Sequence, residues 1–417
     1  VDASVLEDGT HYLRLRGKDI VENFGKISQQ EDISFIRDTM APVTEKDLVP
    51  YGDIKVDCSG TEESDADVAA KGALTDGCSY VKQGTQITLT ATDPDPQQTG
   101  EFAGNVIIYY RVWWKLNPED SWQLDQEGQS DPDEPVTITL ARNSYHLIEY
   151  WSEDLCGWEE DHHFELDIVD TEAPETTKKI IGPQYYDDQT GKLYIDGVTE
   201  IELTCVDPEP HPVDHEEIYY RYRVDDGAWP AEFTKYTGKF KFPEESKHEL
   251  EYYCIDALGN EETHEFEIDY VDHTKPVTTK TYGTPFYTDG ANKWITTQTP
   301  ITLTADDGDE NHDSGVDITQ YRVSVSLADN FCENCENWMT SLRPDMGPWN
   351  TYADPFTISD ESCHVIEYRS IDNVEKTEDI KWQCVFVDDT PPVGTKVVGD
   401  PNIICDPDEG CDYWVRN

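Results

Sequence analysis

Four segments of this chain are variants of one phrase: "THYLRLRGKD" (10–19), "YHLIEYWSED" (145–154), "KHELEYYCID" (247–256) and "CHVIEYRSID" (363–372). A chain that repeats itself is built from repeated structural units, and the period decides which kind. A second set is "ITLTATD" (87–93), "IELTCVD" (201–207) and "ITLTADD" (301–307), and a third is "YRV" at Tyr110, Tyr222 and Tyr321. A junction phrase with Asp and Pro closes each unit: "RDTMAP", "VDTEAP", "VDHTKP" and "VDDTPP". Its prolines are Pro42, Pro174, Pro276 and Pro392, so the intervals are 132, 102 and 116 residues. Each interval suits one β-sandwich, and the differences read as loop insertions.

The boundaries follow. Residues 1–38 read as the tail of a preceding repeat. Residues 39–171 form a repeat with an insertion at 57–80, and 172–273 form a second. Residues 274–389 form a third with an insertion at 325–349, and 390–417 are the head of another. The chain is therefore expected to be a fragment of a longer array, or one that has lost its flanks.

Alternation identifies the core. In "ITLTATD" Ile87, Leu89 and Ala91 face one way and the threonines the other, the pattern of a half-buried strand. The inward set of the His/Tyr phrase reads His146, Ile148, Tyr150 and Ser152. It recurs as His248, Leu250, Tyr252, Cys254 and as His364, Ile366, Tyr368, Ser370. With His11, the recurring histidine is taken as structural, because no second histidine clusters with it. Of Trp113 and Trp114, which point oppositely on a strand, one is expected in the core. Arg111, Arg223 and Arg322 of the "YRV" phrases are expected outside, in surface ion pairs of small worth.

Cysteine checks the alignment. Cys205 falls where the other repeats have Ala91 and Ala305, and Cys254 where they have Ser152 and Ser370. Only the middle repeat has cysteine at both inward positions, so a Cys205–Cys254 disulfide joining two facing sheets is expected. Cys58–Cys78 would bracket the first insertion and Cys405–Cys411 the corresponding place in the last, shorter repeat. Cys363–Cys384 would join adjacent strands, and Cys332–Cys335 would close a local loop in "CENC". Cys156 is left unpaired. Eleven cysteines used in this way imply an oxidising compartment.

The Cys205/Cys254 arrangement, with Tyr252 two residues before the second cysteine, resembles strands B and F of immunoglobulin domains and their tyrosine corner. The strand-C tryptophan is missing, and Tyr222 is expected in its space. With "YYCIDALGNEE" leading into the Asp-Pro junction, the chain resembles the Ig-like repeats used in tandem by bacterial and archaeal cell-surface proteins. That resemblance implies an all-β fold of tandem Ig-like antiparallel β-sandwich domains in an extended array. It also implies an extracellular structural or adhesive role, as a surface layer, stalk or filament subunit. An Ig-like topology brings the B–C and F–G loops to the end where the chain enters. Asp38 would then meet Asp93, Asp95 and Asp154. Asp170 would meet Asp207, Glu209 and Asp256, and Asp272 would meet Asp307, Asp309 and Asp372. Carboxylates so gathered repel unless a cation is present, and Ca²⁺, with six to eight oxygen ligands and tolerant geometry, suits them. The plain alternative is that these acids only cap turns, as Asp-Pro and Asp-Gly do.

Acidic residues outnumber basic ones 88 to 31, a formal charge of −57. Such a surface repels nucleic acid and anionic membranes and suits cations, basic partners or high salt. Two calcium ions at each of three junctions would bring about +12, far short of neutrality. The longest apolar stretch, "VIIYYRVWW", has nine residues, too short to span a membrane. No GxSxG, HExxH or phosphate loop appears, so no enzyme activity and no organic cofactor are expected within these residues. Expected partners are further copies of the chain or other surface proteins and glycans. The alternative is a non-catalytic accessory or carbohydrate-binding region of a large secreted enzyme.

Overall fold

The computed structural model describes residues 6, 9–13, 33–49, 55–57, 77–94, 105–213, 215–308, 312–325, 339, 346–400, 402–406, 408, 410–411 and 413–415. Their named elements are all β-strands, and the fold is all-β with tandem Ig-like sandwiches. Two compact units divide the chain: residues 1–181 with 200–240 and 249–267, and residues 182–199 with 241–248 and 268–417.

In the first unit, β1 (Gly9–Leu13) pairs antiparallel with β2 (Ile33–Arg37). The first full repeat follows as β3 (Val43–Val49), β4 (Lys55–Asp57), β5 (Cys78–Val81), β6 (Gln86–Thr92) and β7 (Ile107–Lys115). It continues as β8 (Gln123–Gln129), β9 (Val136–Thr139), β10 (Ser144–Glu153) and β11 (His163–Val169). A small sheet β3-β6-β9 faces a large one ordered β4-β5-β11-β10-β7-β8. The core between them is Ile87 and Leu89 of β6, Val112 of β7, Ile138 of β9, and Ile148 and Tyr150 of β10. Each such side chain contributes about 1.5–3 kcal/mol when fully buried.

The middle repeat comprises β12 (Glu175–Ile181), β13 (Gln184–Asp187), β14 (Lys192–Asp196) and β15 (Glu200–Val206). It ends with β16 (Glu217–Val224), β17 (Thr234–Lys235), β18 (Ser246–Ile255) and β19 (Glu265–Asp272). The pairs β12–β15 and β16–β17 lie in the first unit, while β13–β14, and β14 alongside the end of β19, lie in the second. The second unit then holds β20 (Val277–Tyr282), β21 (Phe286–Thr288), β22 (Lys293–Ile295), β23 (Ile301–Asp306), β24 (Val316–Val325) and β25 (Asn350–Thr351). After β26 (Cys363–Asp372) and β27 (Lys381–Val387) come β28 (Asn402–Ile404) and β29 (Tyr413–Val415). Among the described residues each repeat has a parallel pair, β5–β11, β14–β19 and β22–β27.

The repeat alignment holds at the level of register. Thr44 faces Ala91, Thr176 faces Cys205 and Thr278 faces Ala305. Cys205 of β15 is bonded to Cys254 of β18, and Cys405 to Cys411. Cys78, Cys363 and Cys384 are also disulfide-bonded. Cys363 lies opposite Phe386 and Cys384 opposite Val365 on neighbouring strands. Cys58, Cys332 and Cys335 lie outside the described residues. Cys156 is a free, exposed thiol.

Three expectations change. β10 is buried on both faces rather than one, because its outer face is covered partly by its own repeat, where Glu149 pairs with Arg111 and His162 and Trp151 stacks on Tyr109 and His162, and at Tyr145 by loops of the next repeat. There Tyr145, Leu166 and Ile168 cluster with Val213 and Leu258, and the Tyr145 hydroxyl donates to the Pro210 carbonyl at 2.9 Å. Neither Trp113 nor Trp114 reaches the core. Val112 takes the inward place, the register with β8 shifts between Val112 and Trp113, and Arg142 lies 4.8 Å over the Trp114 ring. The recurring arginine of the middle repeat is Arg221, two residues before Arg223. It pairs with Glu251 at 2.6 Å as Arg111 pairs with Glu149 and Arg322 with Glu367. The acids in these pairs have side chains no more than 9% exposed, so they are not the open surface pairs expected.

Candidate metal centres at the repeat junctions

Each group draws on three elements. One aspartate follows the last strand of the preceding repeat, one ends the "ITLT"-type strand, and one ends the His/Tyr strand. Asp38, Asp93 and Asp154 form the first group, Asp170, Asp207 and Asp256 the second, and Asp272, Asp307 and Asp372 the third. Within each group one oxygen per carboxylate lies within 4.8 Å of the others.

Local backbone geometry sets each position. The junction aspartate accepts from the amide two residues on: Met40 to Asp38, Glu172 to Asp170, Thr274 to Asp272 and Thr390 to Asp388, at 2.9–3.1 Å. This is the turn that Asp forms readily. The F–G aspartate closes a tight turn and accepts from the amide four residues on, Trp158, Asn260 or Lys376, at 2.7–3.0 Å. That turn needs a left-handed residue, supplied by Gly157, Gly259 and Glu375. Asp207 accepts from the Val213 amide at 2.6 Å and Asp307 from Gly315 at 2.8 Å.

Turn capping therefore occurs, and it leaves oxygens over. Among the described residues, Asp154 Oδ2, Asp207 Oδ1, Asp307 Oδ1 and Asp372 Oδ2 have no hydrogen-bond partner, although each residue is at most 6% exposed. Burying a carboxylate oxygen unmatched is costly. Burial, reinforced by neighbouring carboxylates, raises Asp170 and Asp307 to about 7 and Asp207 and Asp372 to about 6. In the second group the Asn260 amide donates to both Asp170 Oδ2 and Asp256 Oδ2 at 2.8 Å. Lys376, at the equivalent place, instead reaches Asp196 at 2.6 Å.

Of the expected acids, Glu209 is not brought in. The loop buries His211, whose ring bonds the Leu116 carbonyl at 2.8 Å, and leaves Glu209 exposed. Asp95 and Asp309 lie outside the described residues. Asp313, also buried, raises Asp307 further. The histidines are structural in their contacts. His146 and His248 bond the Ser144 and Ser246 carbonyls, His364 bonds Asp360, and burial lowers His146 to about 4. Tyr252 differs from a tyrosine corner in donating to the Glu267 carboxylate, at 2.8 Å.

The sequence reading missed a second recurrent acid, Glu160, Glu262 and Glu378. Glu262 accepts from the Thr176 amide and hydroxyl and the Cys254 amide, and Glu378 from the equivalent groups of Thr278 and Ser370. Glu160 accepts from the Thr44 amide and hydroxyl and from the Ser152 hydroxyl. Each lies six residues after Asp154, Asp256 or Asp372, a constant spacing that was visible.

No protein-family profile and no curated protein sequence matches the chain. Among solved structures, three N-terminal domains of the bacteriophage RB49 highly immunogenic outer capsid protein (Hoc) are 10% identical, covering 74% of this chain and 96% of theirs, with a TM-score of 0.33. The FN1–FN3 domains of chicken CNTN1 are 8% identical, covering 73% and 95%, with a TM-score of 0.25. Among the described residues no helix is long and apolar enough to cross a membrane.

Proposed function

We propose that this chain is a structural or adhesive segment of an extracellular cell-surface protein, such as a surface layer, stalk or filament, stiffened by Ca²⁺ at its repeat junctions. The observation that carries the reading is the threefold recurrence of convergent aspartates, in which buried oxygens find no donor among the described residues. Two oxygens on opposite sides of a Ca²⁺ ion, at 2.3–2.6 Å each, are about 4.8 Å apart. Groups within that span are spaced as ligands, and backbone carbonyls and water would complete the sphere. Each ion would tie the chain entering a repeat to two of that repeat's loops. The work is mechanical and uses no catalytic residue. Disulfides and the absence of a membrane-length helix among the described residues are compatible with an extracellular place. Partners would be further copies of the chain or other surface proteins and glycans.

Melting and small-angle scattering, in calcium and in chelator, test this reading. Calcium at 100 times its Kd should add about 2.7 kcal/mol per site, raising the melting temperature and narrowing the scattering-derived range of lengths. An unchanged melting temperature and unchanged scattering would sink it.

A further inference from the structure

Each repeat places a lysine on its first strand facing a side chain on its last. Lys46 pairs with Glu165 and Lys178 with Glu267. In the third repeat the lysine is Lys280 of β20, and the residue facing it, Gln383 of β27, is a carboxamide. An ion pair is replaced there by an amine set against an uncharged acyl group.

The surroundings suit reaction between them. Lys280 Nζ contacts both the Gln383 side-chain carbonyl and the Tyr282 hydroxyl, and Tyr282 donates to the same Gln383 oxygen at 3.0 Å. The Nζ lies 3.9 Å from the centre of the Tyr282 ring and 5.9 Å from that of Tyr368. Tyr282 is in turn stacked on Phe286 and packed against the core of Ile295, Ile301 and Ile366. Burial, with Lys293 nearby, lowers the lysine to about 7, so a large fraction is free amine at neutral pH. Burial also raises Tyr282, which therefore remains a donor.

We propose that Lys280 and Gln383 form an intramolecular isopeptide bond that joins the first and last strands of the third repeat. The amine lone pair attacks Gln383 Cδ, and the Tyr282 hydroxyl stabilises the developing oxyanion. The proton shed by the attacking nitrogen ends on the departing one, the C–N bond to the amide nitrogen breaks, and ammonia leaves. Atoms and charge balance without an oxidant, nucleotide or metal. Lys46 and Lys178 do not follow, because each faces a carboxylate, which an amine does not attack and which has no amide nitrogen to lose. The bond would route tension from strand to strand past the repeat's interior. It is independent of any cation at the junctions.

The test is intact mass and peptide mapping of the reduced full chain. The wild type should weigh one ammonia less than its sequence, with the Lys280 and Gln383 peptides recovered as one branched species. K280R and Q383E should both return to sequence mass, and Y282F should show a smaller linked fraction. Linked peptides survive only if the bond exists, so a wild type whose two peptides are recovered separately overturns the proposal, even if an ammonia is lost elsewhere. A linked fraction unchanged in Y282F would remove the tyrosine from the mechanism.

Discussion

Asp170 divides its two oxygens between a turn and a neighbour. Oδ1 holds the Glu172 amide and Oδ2 takes one hydrogen of Asn260, whose other acceptor is Asp256. Without a cation, the cheapest way to relieve the remaining repulsion is to bind a proton. The sign of the pH effect follows. Asp170, Asp207, Asp307 and Asp372 have folded pKa values raised to about 6–7 from 3.8. The folded state thus holds more protons than the unfolded one between about pH 4 and 7. Their contribution is fully present below the unfolded value and is lost as pH rises through the folded ones. In chelator these groups should therefore make the protein more stable at pH 5 than at pH 8. In saturating calcium their share of that gain should vanish. His146, lowered to about 4, works the other way in both conditions, so the difference between two denaturation series isolates the aspartates. A difference that does not vary with pH would contradict the account.

At the scale of elements, the disulfide between β15 and β18 stands at positions where the other repeats carry Ala91 and Ser152 or Ala305 and Ser370. Closing a loop with a sequence separation of 49 should stabilise the repeat by about 4 kcal/mol on the chain-entropy model. The C205A/C254S variant should lose about that amount in equilibrium denaturation and keep its fold, because its neighbours use those same residues. A loss below about 1 kcal/mol would show that the unfolded chain is not restrained in this way. This pairing was legible because small inward positions align between repeats and strand periodicity is strict. The junction aspartates were legible for the same reason, since each ends a recurring strand. Arg221 was not, because a two-residue shift keeps the same face and "YRYRV" offers two equivalent registers. Glu160, Glu262 and Glu378 were hidden among 88 acids, where only their spacing marked them. The double burial of β10 could not be read from alternation, because part of its cover, Val213 and Leu258 over Tyr145, comes from the next repeat's loops.

For the whole molecule, the nine junction aspartates are a small part of the acidic residues, and cations there would leave most of the charge of −57 in place. Among the described residues most of the remaining acids are exposed or half-buried, screened over about 8 Å at physiological ionic strength. What distinguishes the nine is burial and convergence rather than charge. Bound calcium counted per chain after dialysis, for the wild type and for D207N and D307N, tests the central claim most directly. The wild type should retain calcium at three separate junctions. Each variant should lose the calcium of one junction and leave the other two filled. A wild type that retains no calcium, or variants that retain as much as the wild type, would contradict it.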